Sequence, residues 1–176
     1  SILYDKKDQS MYYLPYLYGM TNLTMIEGSK KHAGVAVQVA DDTLKDSKTK
    51  GQDRANLLYQ KAYAQQAMEN YEGAAADYKA ALAAVPAHLG AHVALAEVYV
   101  LAKKNKEALA AFDEAIKTFP DNALVYNNRG MFHQQNGDLE QSILDFSKAI
   151  KYDKNYYYSY TNRGYSLMQQ GKAEAA

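Results

Sequence analysis

A repeat of 34 residues is the feature that most constrains the fold of this chain of 176 residues. Small residues recur at this interval in two columns, which are Ala74, Ala108, Ser142 and Ala176, and Ala62, Ala96, Gly130 and Gly164. Three more columns share the interval: Tyr78, Phe112 and Phe146; Ala81, Ala115 and Ala149; Pro86 and Pro120. Independent columns with one common period indicate an array of similar structural units.

Each unit contains two apolar stretches of helical periodicity that are separated by a short polar break. The breaks are Glu69–Asn70, Lys103–Asn105, Asn136–Asp138 and Gly171–Lys172. Antiparallel helices approach closely only where their side chains are small, and the alanine and glycine columns supply such positions. The aromatic column is expected to pack between one helix pair and the next. Proline ends a helix but fits the first turn of the next one, so Pro86 and Pro120 mark the junctions between units. The pattern predicts an all-α stack of antiparallel helix pairs.

The spacing of these residues resembles that of the tetratricopeptide repeat (TPR) family, whose pattern is W-x2-L-G-x2-Y, then A-x3-F, then P. The best match is His92-x2-Leu95-Ala96-x2-Tyr99, followed by Ala108-x3-Phe112 and by Pro120. The resemblance covers residues 55–176 and implies a right-handed α-solenoid. It divides the chain into repeats at 55–88, 89–122 and 123–156 and an incomplete repeat, its first helix only, at 157–176.

Residues 1–54 fit the repeat pattern poorly, and we interpret them as an N-terminal helical hairpin that is a degenerate repeat or a cap. The expected hairpin has a helix from about Tyr12 to Lys31, a turn at His32–Gly34 and a second helix to about Asp46. Residues 46–53, DSKTKGQD, are polar and contain Gly51, so we expect a linker there.

Composition argues against several classes of partner. Twenty lysines and arginines balance 20 aspartates and glutamates, which gives no electrostatic reason to bind nucleic acid. The most apolar stretch, residues 11–26, is too short and too interrupted by polar residues to span a bilayer, so we expect no membrane insertion.

No motif in the sequence indicates catalysis, so we expect a protein that is not an enzyme and has no cofactor. The chain has no cysteine, which excludes cysteine-based metal sites. His88 and His92 have a spacing that can bind a metal, but two ligands leave half of a tetrahedral zinc shell empty. His92 also stands at the packing position that the family fills with tryptophan. We therefore expect these histidines to be structural and no metal to bind.

The resemblance also implies a ligand-binding face, because TPR proteins bind peptides along the concave surface lined by the first helix of each repeat. Carrying the family's contact positions over gives these candidates for peptide binding: Tyr59, Tyr63, Glu97, Asn127, Asn128, Met131, Gln134, Asn162, Tyr165 and Gln169. One subclass binds the C-terminal carboxylate of chaperones through lysine, asparagine and arginine. Asn127, Met131 and Asn162 stand at corresponding places here, so chaperone tails are not the expected ligand.

Three functions are consistent with this pattern. The first is a protein–protein interaction scaffold or adaptor that binds a peptide or partner protein on the concave face. The second is a structural subunit of a larger multiprotein assembly, and the third is a regulatory TPR arm of a longer enzyme.

Arg129 and Arg163, one period apart, either contact a ligand carboxylate or pair with acids on the neighbouring second helices. We favour pairing, with Asp145 as the partner of Arg129.

The end of the sequence falls where the second helix of the incomplete repeat would begin. The last first helix, about Asn155 to Gln170, carries Tyr160, Gly164 and Leu167 on one face. Without a partner helix, Leu167 and its neighbours would face water and form an apolar patch. We therefore predict that continuation of the chain or self-association covers this C-terminal end.

Overall fold

Eight α-helices make up the part of the chain that the computed structural model describes, residues 23–46 and 48–171. They are α1 Leu23–Leu44, α2 Gly51–Ala67, α3 Tyr71–Ala84, α4 Leu89–Leu101, α5 Asn105–Thr118, α6 Ala123–Gln135, α7 Leu139–Tyr152 and α8 Tyr157–Gln169. Each helix packs against the next one along the chain. The fold is all-α, a right-handed α-solenoid of antiparallel helix pairs.

The first helices of successive repeats lie side by side. In addition to the contacts between consecutive helices, α2 packs on α4, α4 on α6 and α6 on α8. These four helices form one continuous surface, which we call the first-helix face. The second helices α3, α5 and α7 pack behind it.

The small-residue columns of the sequence lie where the helices touch. Ala62, Ala96, Ala108 and Ala115 have no solvent exposure. Gly130 is in the same column as Ala96, and a Cβ atom added to it would lie 2.8 Å from Cε1 of Phe146. The aromatic column is equally buried, since Phe146 has no exposed surface. The predicted role of both columns is confirmed.

The polar breaks form tight connections with a common backbone feature. The residue with a left-handed conformation is Glu69 (φ 62°) after α2, Lys103 (φ 57°) after α4, Gly137 (φ 79°) after α6 and Gly171 (φ 73°) after α8. These four residues are also one repeat period apart. A left-handed residue satisfies the terminal carbonyls of a helix and reverses the chain, which is why the same position recurs.

The predicted turn at His32–Gly34 is wrong, because α1 continues through these residues to Leu44. Ala33 and Ala40, two turns apart on this helix, are both buried, and glycine inside a helix costs only about 1 kcal/mol relative to alanine. Residues 12–22 of the predicted first helix lie outside the described residues. The expected linker at 46–53 is shorter than predicted, since α2 already begins at Gly51.

Leu167, which we expect to face water when no partner helix is present, is only 8% exposed. Tyr160 on the same helix is 42% exposed, and Tyr157, Tyr165 and Met168 are exposed as well.

Within residues 23–46 and 48–171, no helix is long and apolar enough to cross a membrane.

Candidate ligand-binding groove

A narrow pocket opens on the first-helix face between α2 and α4. Tyr59 and Tyr63 lie one helical turn apart on α2, so both side chains point to the same side of that helix. Val93 and Glu97 have the same spacing on α4 and face them. The remaining wall and floor residues are Gln66, Tyr78, Gly90, Ala94 and Leu124.

Tyr78 forms the floor of this pocket and reaches it from the second helix α3. Its ring is fully buried and lies 5.5 Å, between centroids, from the ring of Tyr59. The Tyr78 hydroxyl donates a hydrogen bond to Oε1 of Gln66 at 3.2 Å. Burial raises the pKa of Tyr78 well above its usual value, and the negative charge of Glu97 contributes to the same shift. Tyr78 is therefore a neutral hydroxyl at any pH at which the fold is studied.

Glu97 is the one charged residue in the lining of this pocket. Its side chain is half-buried, and Oε1 accepts a hydrogen bond from Nδ2 of Asn128 on α6 at 3.1 Å. Burial raises the pKa of the Glu97 carboxyl to about 7, because water no longer stabilises the charged form. No lysine, arginine or histidine in the described part of the chain forms an ion pair with it.

Asn127, a predicted contact residue, is only 1% exposed and lies between α6 and α8. Its Oδ1 atom accepts hydrogen bonds from Ser159 Oγ at 3.0 Å and from Asn162 Nδ2 at 3.2 Å. Its amide nitrogen lies 3.4 Å from Sδ of the half-buried Met131. The Asn127 side chain therefore holds two first helices together and offers almost no surface to a ligand.

Gln134 and Asn162 make further connections between the same two helices. Gln134 Nε2 donates to the carbonyl oxygen of Asn162 at 3.1 Å and to Ser166 Oγ at 2.6 Å. Tyr165 and Gln169, further along α8, are exposed. The ten predicted residues thus divide into a pocket group, which is Tyr59, Tyr63, Glu97 and Asn128, and a group between or along α6 and α8.

Sequence reasoning missed Tyr78 as a pocket residue because it belongs to the aromatic column assigned to packing. The signal that distinguishes it is chemical: Tyr78 carries a hydroxyl, whereas Phe112 and Phe146 at the equivalent positions do not. A polar atom in a packing column indicates a nearby polar partner, which here is Gln66.

The predicted pairing of Arg129 is confirmed. Its guanidinium donates to both carboxylate oxygens of the buried Asp145 at 2.7 Å and to Asp113 Oδ1 at 2.7 Å. Arg163 differs, because its guanidinium donates to Ser147 Oγ at 3.4 Å instead of to an acid. Ser147 occupies the position one period after Asp113, so the loss of the carboxylate is a substitution at an equivalent site.

The two histidines considered as metal ligands pack against neighbouring residues. His88 Nδ1 accepts from the backbone N–H of Ala91 and caps α4, and its ring stacks on Tyr59 at 5.3 Å. His92 is buried, with Nε2 2.9 Å from the carbonyl oxygen of Pro86. Within residues 23–46 and 48–171, no cluster of three or more metal-binding side chains occurs.

Two family models described as tetratricopeptide repeat match the chain, one at residues 65–129 and the other at residues 123–156. The small glutamine-rich tetratricopeptide repeat-containing protein 2 of Saccharomyces cerevisiae is 36% identical over 77 residues, which are 43% of this chain and 22% of the yeast protein. Human serine/threonine-protein phosphatase 5 is 33% identical over 78 residues, 44% of this chain and 16% of the phosphatase. The chain thus covers about a fifth or less of the length of these relatives.

A solved structure of the first TPR of Spaghetti (RPAP3), bound to the HSP90 peptide SRMEEVD, superposes with a TM-score of 0.61. The match covers 71% of this chain and 99% of the solved one at 17% identity, so it supports the fold alone.

Proposed function

Because the chain belongs to the tetratricopeptide repeat family, we propose that it is a non-catalytic scaffold that binds an extended peptide segment of a partner protein across the first-helix face. Repeat scaffolds of this kind are generally non-catalytic. The observation that carries the proposal is the pocket between α2 and α4, which is aromatic on one side and holds a half-buried carboxyl on the other. Such a combination of apolar surface with a few oriented polar groups is characteristic of binding sites.

The chemistry of the pocket suits a peptide. Tyr63, 44% exposed at the rim, offers apolar contact area with a polar hydroxyl at its tip. Asn128 and Gln66 carry side-chain amides that both donate and accept hydrogen bonds, so they can pair with the N–H and C=O groups of a peptide backbone. Asn127, Gln134 and Asn162 contribute indirectly by fixing α8 against α6. We assign these three a positioning role and leave direct contact to the pocket group.

An acidic chaperone tail is a poor candidate for this site. The HSP90 peptide in the Spaghetti structure contains two glutamates and an aspartate. Here the only charged pocket residue is Glu97, which would repel such a peptide when ionised. The residues at the places that the resemblance assigns to carboxylate binding, Asn127, Met131 and Asn162, carry no charge.

Two alternatives follow from particular observations. The exposed aromatic residues of α8, which include Tyr157, Tyr158 and Tyr160, favour a structural subunit that packs against another molecule at this end. The match to serine/threonine-protein phosphatase 5 through 78 residues favours a regulatory TPR arm of a longer enzyme.

Site-specific photocrosslinking tests the proposed function. Benzoylphenylalanine replaces Tyr63 at the pocket rim or, as a matched control, Tyr152 on the second helix α7, which is 37% exposed. Both proteins are irradiated with a display library of random dodecapeptides. We expect peptide capture at position 63 and little at position 152. Equal capture at both positions, or capture at 152 alone, would contradict binding on the first-helix face.

A further inference from the structure

The packing of the helices does not explain why a glutamate, Glu97, lies in the pocket between α2 and α4. Its Oε1 atom accepts the hydrogen bond from Asn128, but no described residue donates to Oε2. The carboxyl faces Tyr59 and Tyr63 of α2 and the Tyr78 ring from α3. Partial desolvation raises the free energy of an ionised carboxylate that has no counter-charge, and an external cation would stabilise it.

The other half of the pocket also suits a cation. The faces of aromatic rings carry negative electrostatic potential and attract ammonium and guanidinium groups. Three tyrosines surround the space that Glu97 borders, and Val93 and Leu124 supply apolar wall. The pocket therefore combines a carboxylate oxygen to which no described residue donates, aromatic faces and a surface for an aliphatic chain.

We propose that this pocket receives the ammonium group of a lysine side chain from the partner peptide, with Glu97 Oε2 as the hydrogen-bond acceptor. This inference rests on the peptide-binding function proposed above. The four-carbon stem of the lysine lies against the Tyr63 ring and the ammonium enters beneath it, as long cationic side chains commonly do on apolar surfaces.

The size of the pocket selects among cations. Its interior offers about 30 Å³ to water-sized groups, so it admits a compact head group. A primary ammonium is a compact charge, whereas a guanidinium is a broad planar fork and a trimethylammonium is bulkier still. Lysine is therefore preferred to arginine and to trimethyllysine.

The first test uses n-butylammonium, the side-chain analogue of lysine, and reads Glu97 directly. In protein labelled with ¹³C-glutamate, the Glu97 Cδ resonance is assigned by its loss in Glu97→Gln and titrated against pH. At an n-butylammonium concentration of twice its Kd for the ionised form, the pKa of Glu97 should fall by about half a unit. Equal concentrations of tetramethylammonium, 1-butanol and sodium chloride should leave it unchanged. No shift with n-butylammonium, or the same shift with tetramethylammonium, would overturn the proposal.

The second test uses peptides captured at position 63. Lysine should be enriched among them, and changing that lysine to norleucine or acetyl-lysine should weaken binding by at least about tenfold. Glu97→Gln should reduce the affinity for the lysine peptide to that for the norleucine peptide, whereas Glu107→Gln on the exposed side of α5 should change neither. Captured peptides without lysine enrichment would refute this inference and leave the scaffold function intact. A shift of Glu97 by n-butylammonium without capture at position 63 would refute the function instead.

The pH profile provides an independent readout. Affinity for the lysine peptide should rise between pH 6 and pH 8 as Glu97 ionises, and this rise should be absent in Glu97→Gln. His88, which stacks on Tyr59 and has a pKa lowered by burial, is a second titratable group beside the pocket. Burial raises the pKa of Tyr78, so this tyrosine stays neutral in this range, and Asn128 does not titrate. A rise that persists in Glu97→Gln would assign the effect to His88 and contradict the proposal.

Discussion

Gly130 lies in α6 where that helix touches Phe146 of α7, and its replacement by alanine tests whether the small-residue column fixes the packing. A Cβ atom at position 130 would lie 2.8, 2.9 and 3.2 Å from Cε1, Cδ1 and Cζ of the Phe146 ring. These contacts are several tenths of an ångström too short, and the ring is fully buried, so it has no solvent-filled space into which to move.

Two opposing effects set the expected magnitude. Alanine in a helix interior is about 0.8–1.0 kcal/mol more favourable than glycine. Overpacking a well-filled core costs about 1–3 kcal/mol. Gly130→Ala should therefore lower the free energy of unfolding by up to about 2 kcal/mol.

Gly34 provides the matched control, because it lies inside α1 and a Cβ atom there would meet nothing within 4 Å. Gly34→Ala should stabilise the protein by up to about 1 kcal/mol, so that the two substitutions have opposite signs. Urea unfolding followed by circular dichroism at 222 nm measures both. In a double-mutant cycle, Phe146→Leu should relieve part of the cost of Gly130→Ala. The reasoning is refuted if Gly130→Ala is as stabilising as Gly34→Ala.

Three further predictions concern charge and backbone. Arg129→Leu should lower the free energy of unfolding by about 3–5 kcal/mol, because it leaves Asp145 buried without a partner. The double variant Arg129→Leu with Asp145→Ala should be nearly neutral in chemical unfolding, since it copies Leu95 and Ala111 one period earlier. Because the pKa of Glu97 is higher when folded (about 7) than unfolded (about 4.5), wild-type stability should fall as pH rises between these values. Glu97→Gln should therefore gain about 1–3 kcal/mol over wild type from pH 4.5 to pH 8 in urea titrations, and an equal difference at both pH values would contradict this. Lys103→Gly should raise the melting temperature by relieving a left-handed lysine, and Lys106→Gly, inside α5, should lower it.

The repeat architecture could be predicted from the sequence because its determinants lie within one unit. A column of small residues can face an adjacent helix only if the helices pair in register, and the buried Ala96, Ala108 and Ala115 satisfy that condition. The ion pair between Arg129 and Asp145 could be predicted for a similar reason. The two residues are 16 apart and lie on the paired helices of one repeat.

The features that could not be read from the repeat pattern depend on contacts beyond one unit or on small energies. Asn127 was assigned to ligand contact from its position in the repeat, but Ser159 and Asn162 of the following unit enclose it. A glycine such as Gly34 marks a turn only when the helix gains little from its packing, and here Ala33 and Ala40 are buried along the same helix. The predicted peptide contacts of the exposed Tyr63 and Tyr165 stay predictions.

The constant length of the repeat has a consequence for the sequence of any bound segment. Helices in contact, such as α2 and α4 or α4 and α6, lie about 8–10 Å apart. An extended peptide in the polyproline II conformation that crosses them advances about 3.1 Å with each residue, and its side chains return to the same direction every third residue. It therefore passes from one unit to the next in about three residues, and side chains that contact successive units are spaced i, i+3, i+6 in the ligand. A linear motif with its specificity-determining residues at this interval is the partner that matches the geometry of the stack.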